Sequence, residues 1–438
     1  MIRKVAIVAT LILLAGTLAL AQDDNQFPVP PVQPAEQMET APSAPHITSY
    51  GFEVPPGWNV AMAADAIGIY DSNPAFQLQS ESDGAQRYSG NVSLSYLAQH
   101  TIYQATYLPS FTYYHHFSTL NAVDQTLSQD LWHQVNGRTN WTWTVNAQKY
   151  PSWGGSSFSS SVFGSLLMQL SGLTALNLVS KVSEASTGFM LEHKPSLRSH
   201  LQLDVSGGVT KYVHSDSNQL LSLLTSADSS TWYGQAGVIY GYELSTHRTI
   251  GFGASASYFL FTAQDYHVME ESVVLRYEEL LSKNWTYSVS VGPQFREQQS
   301  AAAIQPGLSL DAQVVRKTLK SSFRASAVSS YQMGQAQGNL TSWTASTAFE
   351  HSIGKRAFAG VFGTYQRSEL LASGPLGTGA TQTVAPAAEG GFRILRHLVW
   401  FANYGYGLQQ GVLTQQKNIG RQQFLTGISC NVDRVLPR

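Results

Sequence analysis

The chain has 438 residues, of which 43 % are hydrophobic and only 12 % charged, with a formal net charge of −2 at pH 7. Charged content is about half the usual quarter of a soluble domain, and the near balance of signs excludes a basic nucleic-acid surface or a strongly charged polymer as partner. Cys430 is the single cysteine, which excludes an intrachain disulfide and a thiolate metal cluster.

Residues 1–21 have the order of a secretory signal. Arg3 and Lys4 form a basic start, Val5 to Leu18 an apolar segment, and Ala19-Leu20-Ala21 a small-x-small cleavage site before Gln22. The apolar run is shorter than the roughly 20 residues a spanning helix needs, and no later segment is apolar enough to replace it. Residues 22–56 are a different material. Pro28, Pro30, Pro31, Pro34, Pro42, Pro45, Pro55 and Pro56 lie among Gln, Ala, Ser and Glu without a period. This composition predicts a disordered or polyproline-like periplasmic tail.

From residue 57 to about 434 the chain repeats one texture. Apolar and polar residues alternate in runs of strand length, which puts them on opposite faces. Val92, Leu94 and Tyr96 alternate with Ser93 and Ser95. Tyr103, Ala105, Tyr107, Phe111 and Tyr113 alternate with Gln104, Thr106, Ser110 and Thr112. The pattern recurs at Trp141–Gln148, Leu201–Thr210, Ile250–Leu260, Leu308–Val314, Trp343–Glu350 and Phe424–Val432. It is cleanest between Met269 and Arg296. There Trp285, Tyr287, Val289, Val291 and Phe295 oppose Thr286, Ser288, Ser290, Gln294 and Arg296, after a turn at 282–284. Residues 435–438 form a short tail.

Two classes of connection take turns along the chain. Short ones lie at 99–101, 136–138, 194–198, 245–248, 282–284, 316–319, 354–355 and 396–397. Longer, more polar ones lie at 71–86, 117–125, 151–181, 214–230, 263–267, 297–303, 334–338, 370–381 and 410–420. Short turns on one rim and longer loops on the other predict an all-β antiparallel transmembrane β-barrel of about 16–18 strands, with short periplasmic turns and longer extracellular loops. A soluble sandwich or propeller is the structural rival. Against it, Trp141 and Trp285 follow short turns while Trp232 and Trp343 follow long loops, as two interfacial girdles require, and the inward face is small and polar. Pro109, Pro293, Pro306 and Pro386 fall inside expected strands and are expected at bulges or strand ends. The stretch Leu127 to Val135 shows no clean face.

No constellation for catalysis is present. The sequence has no Gly-x-Ser-x-Gly elbow, its Ser and His residues are scattered, and no enzyme activity, cofactor or metal is expected. His115-His116 is read as an interfacial or loop pair. Of Glu270, Glu271, Glu278 and Glu279, only Glu278 is expected inward, paired with Arg276; the others are placed at strand ends in water. Inside the longest loop, Phe163, Leu166, Leu167, Leu170, Leu173 and Leu176 recur at helical spacing. They are candidates for a constriction element in the barrel mouth or for a lid packed on the rim.

Gly68-Ile69-Tyr70-Asp71-Ser72-Asn73 resembles the Tyr-Asp-x-Asn opening of a family of bacterial outer-membrane β-barrel porins, some of which are associated with exopolysaccharide secretion systems. The resemblance implies a location in the bacterial outer membrane and, as partners, outer-membrane lipid, the barrel assembly machinery and polysaccharide export components. The C-terminal end departs from the usual aromatic terminus, since Asp433-Arg434-Val435-Leu436-Pro437-Arg438 follows the last expected strand. The expected role is a channel for small hydrophilic solutes or an accessory pore in exopolysaccharide export; a structural or adhesive barrel with a plugged lumen is the alternative. Alternation assigns Glu184, Glu192, Asp204, Glu278, Asp311, Glu350 and Glu389 to the lumen, with Arg276, Arg296, Arg324 and Arg393. Acids outnumber bases, which predicts a weak cation preference, with Arg296 near the long-loop mouth opposing cation entry.

Overall fold

A computed structural model of the chain describes residues 57–74, 81–151, 180–214, 229–262, 266–298, 304–334, 338–354, 356–370, 379–395, 397–411 and 418–435. These form the strands β1 (Gly57–Asp71), β2 (Asp83–Ala98), β3 (Thr101–Tyr114), β4 (Ala122–Asn136), β5 (Thr139–Pro151), β6 (Ser180–Ser196), β7 (Ser199–His214), β8 (Ser229–Ser245) and β9 (Arg248–Phe261). They continue as β10 (Tyr266–Ser282), β11 (Trp285–Gln298), β12 (Gln305–Lys317), β13 (Ser321–Gly334), β14 (Gly338–Ile353), β15 (Ala357–Leu370), β16 (Gly379–Leu395), β17 (Leu398–Gly411) and β18 (Ile419–Val435). All belong to one 18-stranded antiparallel sheet in which each strand pairs with its sequence neighbours. β1 pairs with β18 as well as with β2, so the sheet closes into a barrel without a free edge.

The strands run from 13 residues in β5 to 17 in β6. A tilted strand crosses a bilayer in roughly 9–11 residues, so these strands project beyond an apolar band at their ends. The two faces differ sharply. Closure makes one face concave, where side chains crowd, and one convex, where they splay apart. Trp58, Tyr88, Tyr107, Phe111, Trp143, Phe189, Val205, Trp232, Phe252, Leu275, Phe295, Trp343, Tyr404 and Phe424 are exposed on the convex face. Most of the buried polar groups lie on the concave one. At the short-turn rim Trp58 packs against Tyr96 with ring centroids 4.9 Å apart, and the Arg316 guanidinium lies 5.3 Å from the Trp285 ring.

Register settles the ambiguous positions. In β4 the odd residues Leu127, Gln129, Leu131, His133 and Val135 point outward, and Ser128, Asp130, Trp132 and Gln134 inward. Gln129 on the apolar side and Trp132 on the polar side conceal the period in the sequence. The prolines require a correction, because Pro109, Pro293 and Pro386 stand inside β3, β11 and β16 without any shift of register. Opposite each, pairing lapses briefly on one side and resumes in step, while the other neighbour pairs through. A strand residue's N–H points to only one neighbour, so a proline costs one ladder and leaves the other intact. Pro306 sits at the start of β12, as expected. The bulges fall at short turns instead, for example between Leu280 and Ser282 and between Arg393 and Leu395.

β18 begins at Ile419, earlier than its apolar alternation suggests, because its first turn of sequence, Gly420-Arg421-Gln422-Gln423, is polar. That extension builds a clasp on the closing seam. Asp71, the last residue of β1, is fully buried and accepts hydrogen bonds from Arg421 Nε at 3.0 and 2.9 Å and from Gln423 Nε2 at 2.7 Å; the Arg421 Nη2 also contacts it. The Asn73 backbone N–H donates to Asp71 Oδ1 at 3.0 Å, and Asn73 Nδ2 to the Gly420 carbonyl at 3.4 Å. Ser72 N–H donates to the Gln422 carbonyl at 2.9 Å, and Gln422 N–H returns a bond to Ser72 Oγ at 2.7 Å. Asp71, Ser72 and Asn73 therefore tie the end of the first strand to the start of the last. Removing one partner of a buried ion pair costs about 3–5 kcal/mol. Arg421→Met is expected to lower the urea midpoint of the refolded barrel accordingly, and Asp71→Asn combined with Arg421→Met to recover most of the loss, as read by gel mobility of unheated samples.

Candidate functional site

The concave face is where polar chemistry collects, so the candidate site is the inner wall of the barrel. The register assigns every expected lumen charge to this face. Glu184 and Glu192 stand on β6, Asp204 on β7, Arg276 and Glu278 on β10, Arg296 on β11, Asp311 on β12, Arg324 on β13, Glu350 on β14, and Glu389 and Arg393 on β16. They are spread around the wall from β6 to β16 and do not converge on one point. Phe163, Leu166, Leu167, Leu170, Leu173 and Leu176 lie outside the described residues.

Several of these charges are engaged. Arg276 Nε donates to Glu278 Oε1 at 2.9 Å, the same-face pair expected from their spacing. Gln148 Nε2 donates to Glu184 Oε2 at 2.7 Å, and Ser322 Oγ to Glu350 Oε2 at 3.2 Å. Arg296 is only 7 % exposed, and its Nη2 lies 3.8 Å from Glu270 Oε2. Gln294 Nε2 donates to the other Glu270 oxygen. Two expectations are corrected by this cluster. Glu270 faces inward beside Arg296 instead of lying in water at a strand end, because β10 extends back to Tyr266. Arg296 is not a lone base at the mouth; its charge is opposed by Glu270.

A second group of inward charges went unread in the sequence. Arg87 Nη2 donates to Ser110 Oγ at 2.9 Å, Ser110 Oγ donates to Asp124 Oδ2 at 3.1 Å, and Arg87 lies 3.7 Å from Asp124. Ser89 Oγ donates to Asp65 Oδ2 at 3.1 Å. Asp130 faces inward between Gln104 and Thr144. Asp71, Arg87, Asp124 and Arg421 sit at the long-loop ends of their strands, in stretches whose polarity resembles loop. Extending the strict alternation past the apolar band would have found them. By contrast, His115 and His116 lie just past β3. The Asp83 carboxylate accepts the backbone N–H groups of His116 and Phe117, each at 3.0 Å, and His116 Nδ1 lies 2.9 Å from it, which fixes the rim connection.

One sector of the wall departs from the small, polar lining the sequence suggested. On β15 to β18 and β1, the inward residues Phe362, Ala385, Ala387, Phe401, Leu425 and Ile67 form a buried apolar cluster, with Ile69, Ala348 and Phe358 against it. Glycines opposite the rings make this packing possible. A Cβ on Gly360 would come within 3.0 Å of Phe362 Cζ, and one on Gly427 within 3.1 Å of Phe401 Cζ. The inner wall is thus two-sided, with an apolar sector on one side and polar side chains over most of the rest. Asp130, Asp204, Asp311 and Glu389 make no ion pair among the described residues.

No protein-family model matches the chain, and no curated protein sequence matches it. Among solved structures it is similar to the outer membrane protein OpdK from Pseudomonas aeruginosa, at 11 % identity and a TM-score of 0.43, over 86 % of this chain and 99 % of that one. The apoprotein form of the FrpB iron transporter (F5-1 variant) from Neisseria meningitidis gives 8 % identity and a TM-score of 0.46, over 86 % and 81 %. A mutant of the ferric enterobactin receptor PfeA from Pseudomonas aeruginosa gives 7 % and 0.44, over 85 % and 80 %. At these scores the likenesses carry no inference, and the fold rests on the chain's own strand pairing.

Proposed function

We propose that this chain is an outer-membrane channel that passes small hydrophilic solutes. The observation that carries the reading is the opposition of the two faces around a closed sheet. Large apolar and aromatic side chains are exposed outward along the strands, while carboxylates, amides and hydroxyls line most of the inside. Closed barrels are one of the two architectures that satisfy every backbone polar group in lipid, and barrels of 16–18 strands leave an aqueous passage. In this reading the short-turn rim, which also holds the start of β1 and the end of β18, is periplasmic, and the long-loop rim is extracellular. The outward aromatics meet outer-membrane lipid, and insertion depends on the barrel assembly machinery.

An accessory role in polysaccharide export is a narrower form of the same proposal. Its support is the resemblance carried by Tyr70 to Asn73, and glycosyltransferase genes beside the coding sequence would strengthen it. The second reading is a plugged structural barrel. The buried apolar sector on β15–β18 and β1 favours it, since an apolar wall is better suited to packing than to water.

Reconstitution in a planar bilayer separates the two. Stable open-channel steps are expected from folded protein, and folded protein that inserts without current would establish the plugged barrel instead. Selectivity follows from the wall charges. Arg87, Arg276, Arg296 and Arg421 each sit beside an acid, and the inward acids without an ion pair, Asp130, Asp204, Asp311 and Glu389 among them, outnumber the remaining inward bases Arg324 and Arg393. A weak cation preference is expected in the reversal potential, fading at high salt as the Debye length falls from about 10 Å at 0.1 M to about 3 Å at 1 M. Neutralising Asp130, Asp204 and Asp311 together to Asn is expected to remove most of it. Arg296→Gln should strengthen it by releasing Glu270. Clear anion preference in the unmutated channel would contradict this distribution of charge.

A further inference from the structure

The apolar sector of the inner wall contains a carboxylate that its surroundings leave unsatisfied. Glu389 on β16 keeps 8 % of its exposure, and neither carboxylate oxygen has a hydrogen-bond partner among the described residues. Its neighbours in the same row are set by register. Gly360 on β15 pairs with Glu389 on one side and with Glu350 of β14 on the other, and Asn403 of β17 pairs with Glu389 from the opposite side. Strands lie about 4.8 Å apart, so the Cα atoms of Glu350 and Glu389 are roughly 10 Å apart, and Glu350 holds one oxygen, Oε2, on Ser322 Oγ of β13 at 3.2 Å. Gly360 leaves room between them for the Glu389 side chain. A Cβ there would lie 2.9 Å from Glu389 Oε1, so the Glu389 carboxylate leans over the glycine, toward the Glu350 side.

Asn403 supplies the independent observation. It keeps 2 % of its exposure, faces the same side of the wall directly across from Glu389, and its Oδ1 has no partner among the described residues. A carboxylate and an amide oxygen buried together without donors are costly. Bases are unevenly placed around them. Arg324 stands on the inner face of β13 opposite Ala348, on the far side of Glu350 from Glu389, and neither acid makes an ion pair among the described residues. Arg393 shares the face of β16 four residues away and bonds to neither acid among the described residues. Phe358, Phe362 and the alanines at 385 and 387 keep the local wall apolar, which strengthens any charge–charge contact made there.

We propose that Glu389, Glu350 and Asn403 form a cation site on the inner wall, taking an oxygen-ligated divalent ion of the Ca²⁺ type. No group of three or more His, Cys, Asp or Glu side chains converges among the described residues, so the donor set is two carboxylates and one amide oxygen. Hard oxygen donors of this kind suit Ca²⁺, which accepts irregular coordination completed by water; Mg²⁺ demands near-octahedral geometry, and transition metals prefer nitrogen or sulfur. Glu350 is only partly buried and forms the open side of the site. The site does not depend on the barrel conducting, so binding and current are separate tests.

The test is titration of CaCl₂ into the full chain, folded in detergent and stripped with chelator, followed by isothermal calorimetry. Saturable binding of one ion is expected, at or tighter than the roughly 10⁻⁴–10⁻³ M range of weak oxygen sites. Glu389→Gln keeps the shape and removes the charge. Its loss of affinity should exceed the roughly 10–100-fold penalty of losing an outer-shell partner. Gly360→Ala should weaken binding by displacing the Glu389 carboxylate, and Asn403→Asp should tighten it. Glu369→Gln, on the outward face of β15, is the control that should leave it unchanged. Gel mobility of unheated samples confirms that each variant is folded. The proposal is overturned by a folded wild-type barrel that binds no Ca²⁺ saturably, or by affinity that neither Glu389→Gln nor Asn403→Asp moves.

Discussion

The pairing of β1 with β18 is the constraint on which the rest of this structure depends. A sheet of eighteen strands has two edges, and each edge carries a row of unpaired N–H and C=O groups. In lipid those groups would have no partner at all. Closure removes both rows at once, but it joins segments 350 residues apart in sequence, as the Arg421–Asp71 contact shows, and such long-range pairing is entropically the hardest to form. The side-chain clasp at Asp71, Ser72, Asn73, Arg421, Gln422 and Gln423 sits on this seam and reinforces its ladder at the long-loop rim. The short stretch that carries the family resemblance therefore has a structural task in this chain, that of joining the last strand to the first.

Closure also decides what the inner wall can be. The concave face crowds side chains, so charges there are pressed against one another and against amides and hydroxyls. Arg87 reaches Asp124 through Ser110, Arg276 meets Glu278, and Arg296 meets Glu270. In the sector from β15 to β1 the crowding is resolved with aromatic rings laid over glycines. The same glycines that admit rings also admit a leaning carboxylate, as at Gly360 and Glu389. Polarity and packing on this wall are thus two solutions to one geometric problem, applied to different strands.

Much of this was legible in the sequence. Period-two alternation survives translation into structure because a strand has no other way to display its residues. The inward parity of Glu184, Asp204, Glu278, Asp311 and Glu389 followed from counting along their strands. Three kinds of position were not legible. Strands extend past the apolar band, so Asp71, Asp124, Glu270 and Arg421 sit in stretches that look like loop yet remain in register. An inward Trp132 opposite an outward Gln129 hides the period of β4. The apolar inner sector cannot be distinguished from its sequence, because Phe362, Phe401 and Leu425 differ from lipid-facing residues only in parity, and their packing is made by strands brought together at the closing seam.

The central claim is that one face of each strand meets lipid and the other meets the interior of a closed barrel. It is tested most directly by a cysteine scan of Thr286 to Phe295 on β11, made in a Cys430→Ser background and probed in lipid vesicles with a small charged thiol reagent. Modification is expected at the even positions, which face inward, and not at the odd positions, which face the bilayer. Uniform reactivity, or a period other than two, would contradict it.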